Sequence, residues 1–94
     1  MAEVYRPTET GETSQLFVQF VQMQQQQALF AMGKHPNTPP NAPPPNLGLA
    51  KAFVDQLCAV REKTRGNLSA EEQGLLNSAI SGLQTKYLEA VNEQ

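Results

Sequence analysis

Only a few residues of this chain have side chains that commonly do chemistry. The sequence contains one histidine, His35, and one cysteine, Cys58. A thiol and an imidazole can form a nucleophile–base pair if the fold brings them together. However, His35 stands beside a proline in a loop, and Cys58 falls on the apolar face of a helix, where a cysteine is usually a small core residue. A tetrahedral zinc site needs more ligands than these two residues supply.

Glu71 and Glu72 are adjacent carboxylates, which invites comparison with an acid–base pair. Adjacent residues on a helix point about 100° apart, and Glu72 stands three residues after Ser69, the spacing of a helix capping box. The stretch GKHP, residues 33–36, has neither the glycine spacing nor the hydroxyl of a phosphate-binding loop. We therefore predict a protein that is not an enzyme, with no catalytic residue, no cofactor and no metal.

Composition limits the classes of function further. The chain has 94 residues, of which 39% are hydrophobic and 17% are charged, and its formal net charge is -2. This size suits one domain with a small core, and this charge is not the basic footprint of a protein that binds nucleic acid or an anionic membrane. A single cysteine excludes an internal disulfide, and the chain shows neither a signal-peptide pattern nor an apolar run of about 18 residues. We therefore expect a cytoplasmic protein that contacts neither nucleic acid nor membrane.

Hydrophobic periodicity and capping signals predict an all-α protein with three helices. The polar residues 1–12 are expected to form a flexible tail, and residues 13–94 a single helical domain. Within that domain we predict helix 1 at about residues 14–32, helix 2 at about 47–64 and helix 3 at about 70–92.

Residues 33–46 form a proline-rich strap between helices 1 and 2. Six of the ten residues from 36 to 45 are prolines, which lack an amide donor and exclude a helix. We expect an extended strap of about 30 Å, which either returns the chain to the far end of helix 1 or carries helix 1 to a neighbouring molecule. Proline-rich segments are also ligands of aromatic-lined grooves, so a recognition motif is the alternative interpretation.

The stretch KTRGNLSAEEQGLL, residues 63–76, predicts a tight corner between helices 2 and 3. Gly66 suits the left-handed conformation that ends a helix, and Ser69 with Glu72 suits a capping box at the start of the next. Leu68 is expected to lie between the two helices, which form an antiparallel hairpin. The apolar face of helix 2 consists of Leu49, Ala50, Phe53, Val54, Leu57, Cys58 and Val60. The apolar stripe of helix 3 consists of Leu76, Ala79, Ile80, Leu83, Tyr87 and Val91.

Helix 1 carries more apolar surface than such a hairpin can cover. Its apolar side chains spread over an arc of roughly 240° at about 100° per residue, whereas a helix lying on one surface needs ~100° or somewhat more. Exposed apolar patches of this size mark interaction sites, and a second copy of helix 1 is the simplest cover. Glutamines in the contact can pair across a symmetric interface. The predicted interface residues are Leu16, Phe17, Phe20, Val21, Met23, Gln24 and Gln27.

Two alternatives exist for helix 1. It can be the central helix of a monomeric bundle, clamped between helices 2 and 3, with its glutamine-rich end simply hydrated. It can also dock on a different chain, which makes the protein an accessory subunit of a larger enzyme or of a translation-related complex.

A distinctive pattern runs from helix 2 into helix 3. Its residues are Ala50, Asp55 and Leu57, then Lys63, Thr64, Arg65, Gly66, Asn67, Leu68, Ser69, Glu71 and Glu72, then Leu75, Leu76, Leu83 and Tyr87. Together with the apolar first helix and the proline-containing link, this pattern resembles a bacterial family catalogued as domain of unknown function 1844, over about residues 14–91. The resemblance implies a small cytoplasmic bacterial protein and carries no assigned activity.

These observations lead to one prediction of fold and function. We predict an all-α protein in which a long first helix is joined by a proline-rich strap to an antiparallel helical hairpin, assembled into an oligomeric bundle. We predict a non-enzymatic interaction or structural protein that forms a homo-oligomer, dimeric or higher, through helix 1.

Overall fold

Three α-helices make up the described structure. A computed structural model gives the structure of the chain and describes residues 10–93. In chain order the helices are α1 (Thr10–Met32), α2 (Leu47–Lys63) and α3 (Ala70–Asn92). No strand occurs within these described residues, so the predicted all-α fold of three packed helices is confirmed.

Helices α1 and α2 run antiparallel. The backbone N–H of Asn46, just before α2, donates a hydrogen bond of 2.8 Å to the carbonyl of Ala31, near the end of α1. Further along, the Gln24 side-chain amide donates to the Gln56 side-chain oxygen at 2.9 Å. Because the contacts move backwards along α1 as they move forwards along α2, the two helices point in opposite directions.

Helix α3 runs parallel to α1 and completes the bundle. An ion pair between Lys34 and Glu93 joins the C-terminal ends of the two helices. Near their N-terminal ends, the Ser14 hydroxyl donates a hydrogen bond to the Glu72 carboxylate. The short corner at residues 64–69 connects α2 to α3, so these two helices form the antiparallel hairpin.

The hairpin corner is built as its sequence indicates. Gly66 has a φ of 83°, which a residue without a Cβ adopts easily. The backbone N–H of Glu72 donates to the Ser69 hydroxyl at 3.1 Å, and the backbone N–H of Ser69 donates to the Glu72 carboxylate at 2.8 Å. These two bonds are the predicted capping box. Leu68 is half-buried and packs against the core, as expected.

All three helices contribute to one apolar core. Most of the predicted stripe of α3 is buried, but near its end Ala90 is buried and Val91 is exposed. At about 100° per residue, Ala90 falls closer than Val91 to the centre of the stripe, which explains the difference. The buried residues are Val21, Ala28, Met32, Ala50, Val54, Leu57, Leu76, Ala79, Ile80, Leu83 and Ala90.

Helix α1 begins earlier than predicted. The expected start was at about residue 14, with residues 1–12 as a tail, whereas the structure has α1 from Thr10. Residues 10–12 therefore belong to the helix. Gly11 lowers helix propensity by only about 1 kcal/mol relative to Ala, which does not stop a long helix. The remainder of the predicted tail, residues 1–9, lies outside the described residues.

The strap between α1 and α2 doubles back, and the expectation of an extended 30 Å segment was wrong. Two turns fold it, with hydrogen bonds from Thr38 N–H to the His35 carbonyl (3.0 Å) and from Ala42 N–H to the Pro39 carbonyl (3.1 Å). Prolines set φ near the value that such turns need, so the same residues that exclude a helix also permit a compact loop. Helix α2 therefore starts beside the end of α1.

Helix α1 ends at Gly33 in a Schellman motif. The Lys34 N–H donates to the Leu29 carbonyl at 2.9 Å, and the Gly33 N–H donates to the Phe30 carbonyl at 3.1 Å. Gly33 has a φ of 73°, the left-handed conformation that this motif requires. A Cβ at Gly33 would also lie 3.1 Å from Cγ of Pro45 in the strap, so glycine both ends the helix and admits the returning chain.

Candidate functional site

His35 has a structural role at the start of the strap. Its ring stacks on the ring of Phe30, with centroids 3.8 Å apart and planes 8° from parallel. Its Nδ1 accepts a hydrogen bond of 3.0 Å from the backbone N–H of Asn37. This bond requires an unprotonated Nδ1, and it shapes the first turn of the strap.

Cys58 is placed far from His35. It is half-buried in α2 and packs against the core, about 17 Å along the helix from Leu47, the first residue of α2. His35 lies at the opposite, strap end, so the two residues do not form a nucleophile–base pair. Within residues 10–93, no group of three or more His, Cys, Asp or Glu side chains is placed to hold a metal ion.

The described ion pairs and shifted carboxylates are also structural. The hydrogen bond from the Ser69 backbone, helped by the Ser14 hydroxyl, lowers the pKa of Glu72 below its usual value. The hydrogen bond and charge of Asp55, whose carboxylate lies 2.7 Å from the Lys51 amine, raise the pKa of Lys51. Glu72 caps a helix and Lys51 pairs one turn along its own helix, so neither is poised for proton transfer.

The most distinctive surface of the molecule lies on α1, which has two apolar faces. The inner face consists of Val21, Ala28 and Met32, all fully buried against α2 and α3. Half-buried side chains such as Phe17 and Leu29 border it. This face accounts for the packing of α1 within its own chain.

The second apolar face points away from the bundle, and we call it the outer stripe. Its members are Leu16, Phe20, Met23 and Phe30, which are 54%, 42%, 60% and 48% exposed, together with the exposed Gln27. On the helical wheel the centre of the stripe falls roughly 140° from the centre of the inner face. Four large apolar side chains of one helix are thus left in water.

The spacing within the outer stripe is that of a coiled-coil seam. Successive members are separated by 4, 3, 4 and 3 residues, the alternation of a and d positions in a heptad repeat. In that notation Leu16, Met23 and Phe30 occupy d positions, and Phe20 and Gln27 occupy a positions. A seam with this spacing fits against another helix of the same period.

The outer stripe is free of charge. No Asp, Glu, Lys, Arg or His occurs between residues 13 and 33. The exposed residues beside the stripe include Gln19 and Gln26, where coiled coils usually carry the charged residues that select partners. An identical helix can therefore approach this surface without repulsion between like charges.

The seven predicted interface residues divide between the two faces and their borders. Four of them lie in the outer stripe: Leu16, Phe20, Met23 and Gln27. Val21 is fully buried within the chain and Phe17 is half-buried against the core, while the Gln24 side chain bonds to Gln56 of α2. Phe30 was not among the predicted residues, although its heptad spacing from Met23 is a signal that identifies it.

A shallow groove continues the outer stripe at the strap end of the bundle. Its volume is about 490 Å³, and we call it the strap groove. Gln27 and Phe30 form its α1 side, so its apolar surface is contiguous with the stripe. Leu49, predicted to be a core residue, is exposed here instead, because the returning strap covers only part of the first turn of α2. The main lining residues are Phe30, Pro39, Ala42, Pro43, Leu49 and Phe53.

A comparison with protein-family models identifies the chain. Residues 14–89 match the family described as Domain of unknown function (DUF1844). The chain belongs to this family. The DUF1844 region includes all of α2, most of α1 and α3, and every residue of the outer stripe. No curated protein matches the chain, and no solved structure matches it.

The helices of this DUF1844 protein were also considered as possible membrane segments. In residues 10–93 none combines the length and the hydropathy that crossing a membrane requires.

Proposed function

We propose that this protein is a non-enzymatic interaction protein that self-associates through the outer stripe of α1. The observation that carries the proposal is the exposure of four large apolar side chains, Leu16, Phe20, Met23 and Phe30, in one continuous seam. Exposed apolar surface of this kind marks an interaction site. Removing it from water contributes about 25 cal/mol per Å².

A second copy of the chain suits this seam better than an unrelated partner. The seam has the heptad spacing that allows an identical helix to insert its side chains between those of the first. The absence of charge between residues 13 and 33 means that two copies meet without like-charge repulsion. A surface built to select a charged partner would carry complementary charges at its rim, and glutamines stand there instead.

The cell compartment of such a protein follows from its cysteine usage. Cys58 is the one cysteine of the sequence, and it packs half-buried as a free thiol. A chain that uses no disulfide suits a reducing compartment, so we place the self-associating protein in the cytoplasm.

The test is a light-scattering measurement of mass on a pair of matched variants. Phe20→Glu puts a charge in the centre of the outer stripe, whereas Gln19→Glu puts the same charge on the adjacent residue outside it. We expect the wild type and Gln19→Glu to have the mass of an oligomer, and Phe20→Glu to have the mass of one chain. Loss of a central apolar contact of ~2 kcal/mol or more weakens association more than about 30-fold.

Circular dichroism keeps this experiment interpretable. Phe20 is exposed on the surface of its own chain, so Phe20→Glu should retain the helical signal of the wild type. A wild type that has the mass of one chain at every concentration contradicts self-association. That outcome favours the alternative, in which the outer stripe docks on a larger protein complex as an accessory subunit.

A further inference from the structure

The outer stripe contains one polar member, and its amide is unpartnered. Gln24, one turn away, is satisfied by its hydrogen bond to Gln56. Gln27 makes no hydrogen bond with any other residue in the described part of the chain, and it stands at an a position between Met23 and Phe30. A second helix on the stripe takes the Gln27 amide out of water, so the pairing must supply a hydrogen-bond partner.

This inference rests on the proposed self-association. From the placement of Gln27 we infer that two copies of α1 pair parallel and in register, with the two Gln27 side chains opposite each other. In a parallel pair every a position faces its own copy and every d position does the same. The two amides then donate to and accept from each other, while Leu16, Phe20, Met23 and Phe30 each meet an identical apolar side chain.

An antiparallel pair satisfies this surface less well. There an a position lies opposite a d position, so Gln27 faces Leu16 or Met23 of the second copy, depending on the register. The amide is then buried against hydrocarbon without a partner. An antiparallel register that does pair Gln27 with Gln27 places Phe20 level with Lys34, beyond the end of α1, and leaves Leu16 without an opposing helix.

The strap groove supports the parallel arrangement. Phe30 belongs both to the outer stripe and to the groove wall, and exposed Leu49 lies beside it. A parallel pair brings both copies of Phe30 together at one end of the assembly. The apolar surface of Leu49 and Phe53 from each copy then lies next to the seam, where it can extend the contact. A polar a position in the seam is known to select register at some cost in stability.

Cysteine cross-linking tests the orientation. We use the full chain with Cys58→Ala and introduce one cysteine at a time, as Leu16→Cys, Met23→Cys or Phe30→Cys, with Gln22→Cys on the polar face as the control. In a parallel, in-register pair all three seam positions lie opposite their own copies and should form covalent dimers in comparable yield on oxidation. The Gln22→Cys control should form none.

The antiparallel arrangement gives a different pattern. If the two-fold axis passes near Met23, the two copies of residue 16 lie about 21 Å apart along the helices. A disulfide requires Cα atoms within about 7 Å. At most one of the three positions then cross-links with itself, and Leu16→Cys joins Phe30→Cys only when the two variants are mixed.

The outcomes separate the orientation from the self-association on which it rests. Cross-linking at all three positions supports the parallel pair. An oligomeric mass with self-cross-linking at only one position overturns the parallel orientation and leaves self-association intact. An oligomeric mass with no cross-link at any seam position overturns both, because the contact is then elsewhere. The mass of one chain with no cross-link also overturns both. Circular dichroism of each reduced variant confirms that it is folded.

Discussion

The two apolar faces of α1 differ in the size of their side chains. The inner face combines Val21 and Ala28 with Met32 and is completely buried. The outer stripe consists of larger residues, with two phenylalanines, a leucine and a methionine, all substantially exposed. Small residues on the inner face let α1 lie close to α2 and α3. The packing of one chain therefore explains the inner face and gives no reason for the outer stripe.

The comparison also shows why a single measure of amphipathicity describes α1 poorly. A helix with apolar residues on two nearly opposite faces has hydrophobic contributions that partly cancel around its axis. What distinguishes the faces is burial, which depends on the positions of α2 and α3. One face holds the chain together, and we propose that the other holds two chains together.

The largest contrast between the two faces is expected for their methionines. Met32→Ala removes a buried side chain from the core and should lower the free energy of unfolding by about 2–5 kcal/mol. Met23→Ala removes an exposed side chain and should change the stability of a single chain by less than about 0.5 kcal/mol. Urea unfolding of each variant in the Phe20→Glu background, which we expect to be monomeric, measures both values. Equal losses for the two methionines break the distinction between the faces.

Gly33→Ala tests how the inner face ends at the strap. The substitution forces a Cβ into a left-handed conformation, which costs about 1–2 kcal/mol, and brings that Cβ to 3.1 Å from Pro45. We expect lower stability in urea unfolding. Gly82→Ala is the matched control, since its Cβ would meet nothing within 4 Å and it lies inside a helix. That control should gain about 0.5–1 kcal/mol. A Gly33→Ala variant as stable as the wild type contradicts the described strap closure.

The smallest expected effect is a difference in how the two faces respond to pH. The folded state lowers the pKa of Glu72 through the Ser69 backbone and the Ser14 hydroxyl. This carboxylate therefore contributes stability at pH values above its unfolded pKa, and the contribution is lost as the pH falls through the folded pKa. Glu72→Gln should remove this part of the acid sensitivity in urea unfolding measured at successive pH values.

Self-association gives the contrasting pH result. The outer stripe has no titratable group between residues 13 and 33, so the dissociation constant should be unchanged between about pH 6 and 8. Sedimentation equilibrium at several pH values measures it. A dissociation constant that changes tenfold over this range shows that charged residues outside the outer stripe take part in the contact.

Local signals in the sequence predicted the hairpin well. Ser69, Glu72 and Gly66 act on their immediate neighbours, so the capping box and the left-handed turn form wherever the surrounding chain allows them. The bounds of α3 agree with the prediction at about 70–92. The path of the strap was not predictable in this way, because six prolines exclude a helix without choosing between an extended segment and consecutive turns.

The candidate site was predictable only in part. Periodicity showed that α1 has excess apolar surface, but it did not show which part of the arc the same chain covers. Phe20 and Val21 are neighbours in sequence, yet Val21 is fully buried and Phe20 is substantially exposed. That division depends on how α1 is rotated against α2 and α3, which is a property of tertiary packing. With the rotation known, Phe30 joins the stripe and Phe17, Val21 and Gln24 serve the chain's own fold.

The central claim is that a second copy covers the outer stripe, and the methyl groups of Met23 and Met32 test it most directly. NMR of the methionine methyl signals, with a soluble nitroxide added, reports how accessible each methyl is to solvent. We predict that Met32 is shielded at all protein concentrations, whereas Met23 is shielded in concentrated protein and becomes accessible on dilution. A Met23 methyl that is as accessible in concentrated protein as in dilute protein contradicts the claim.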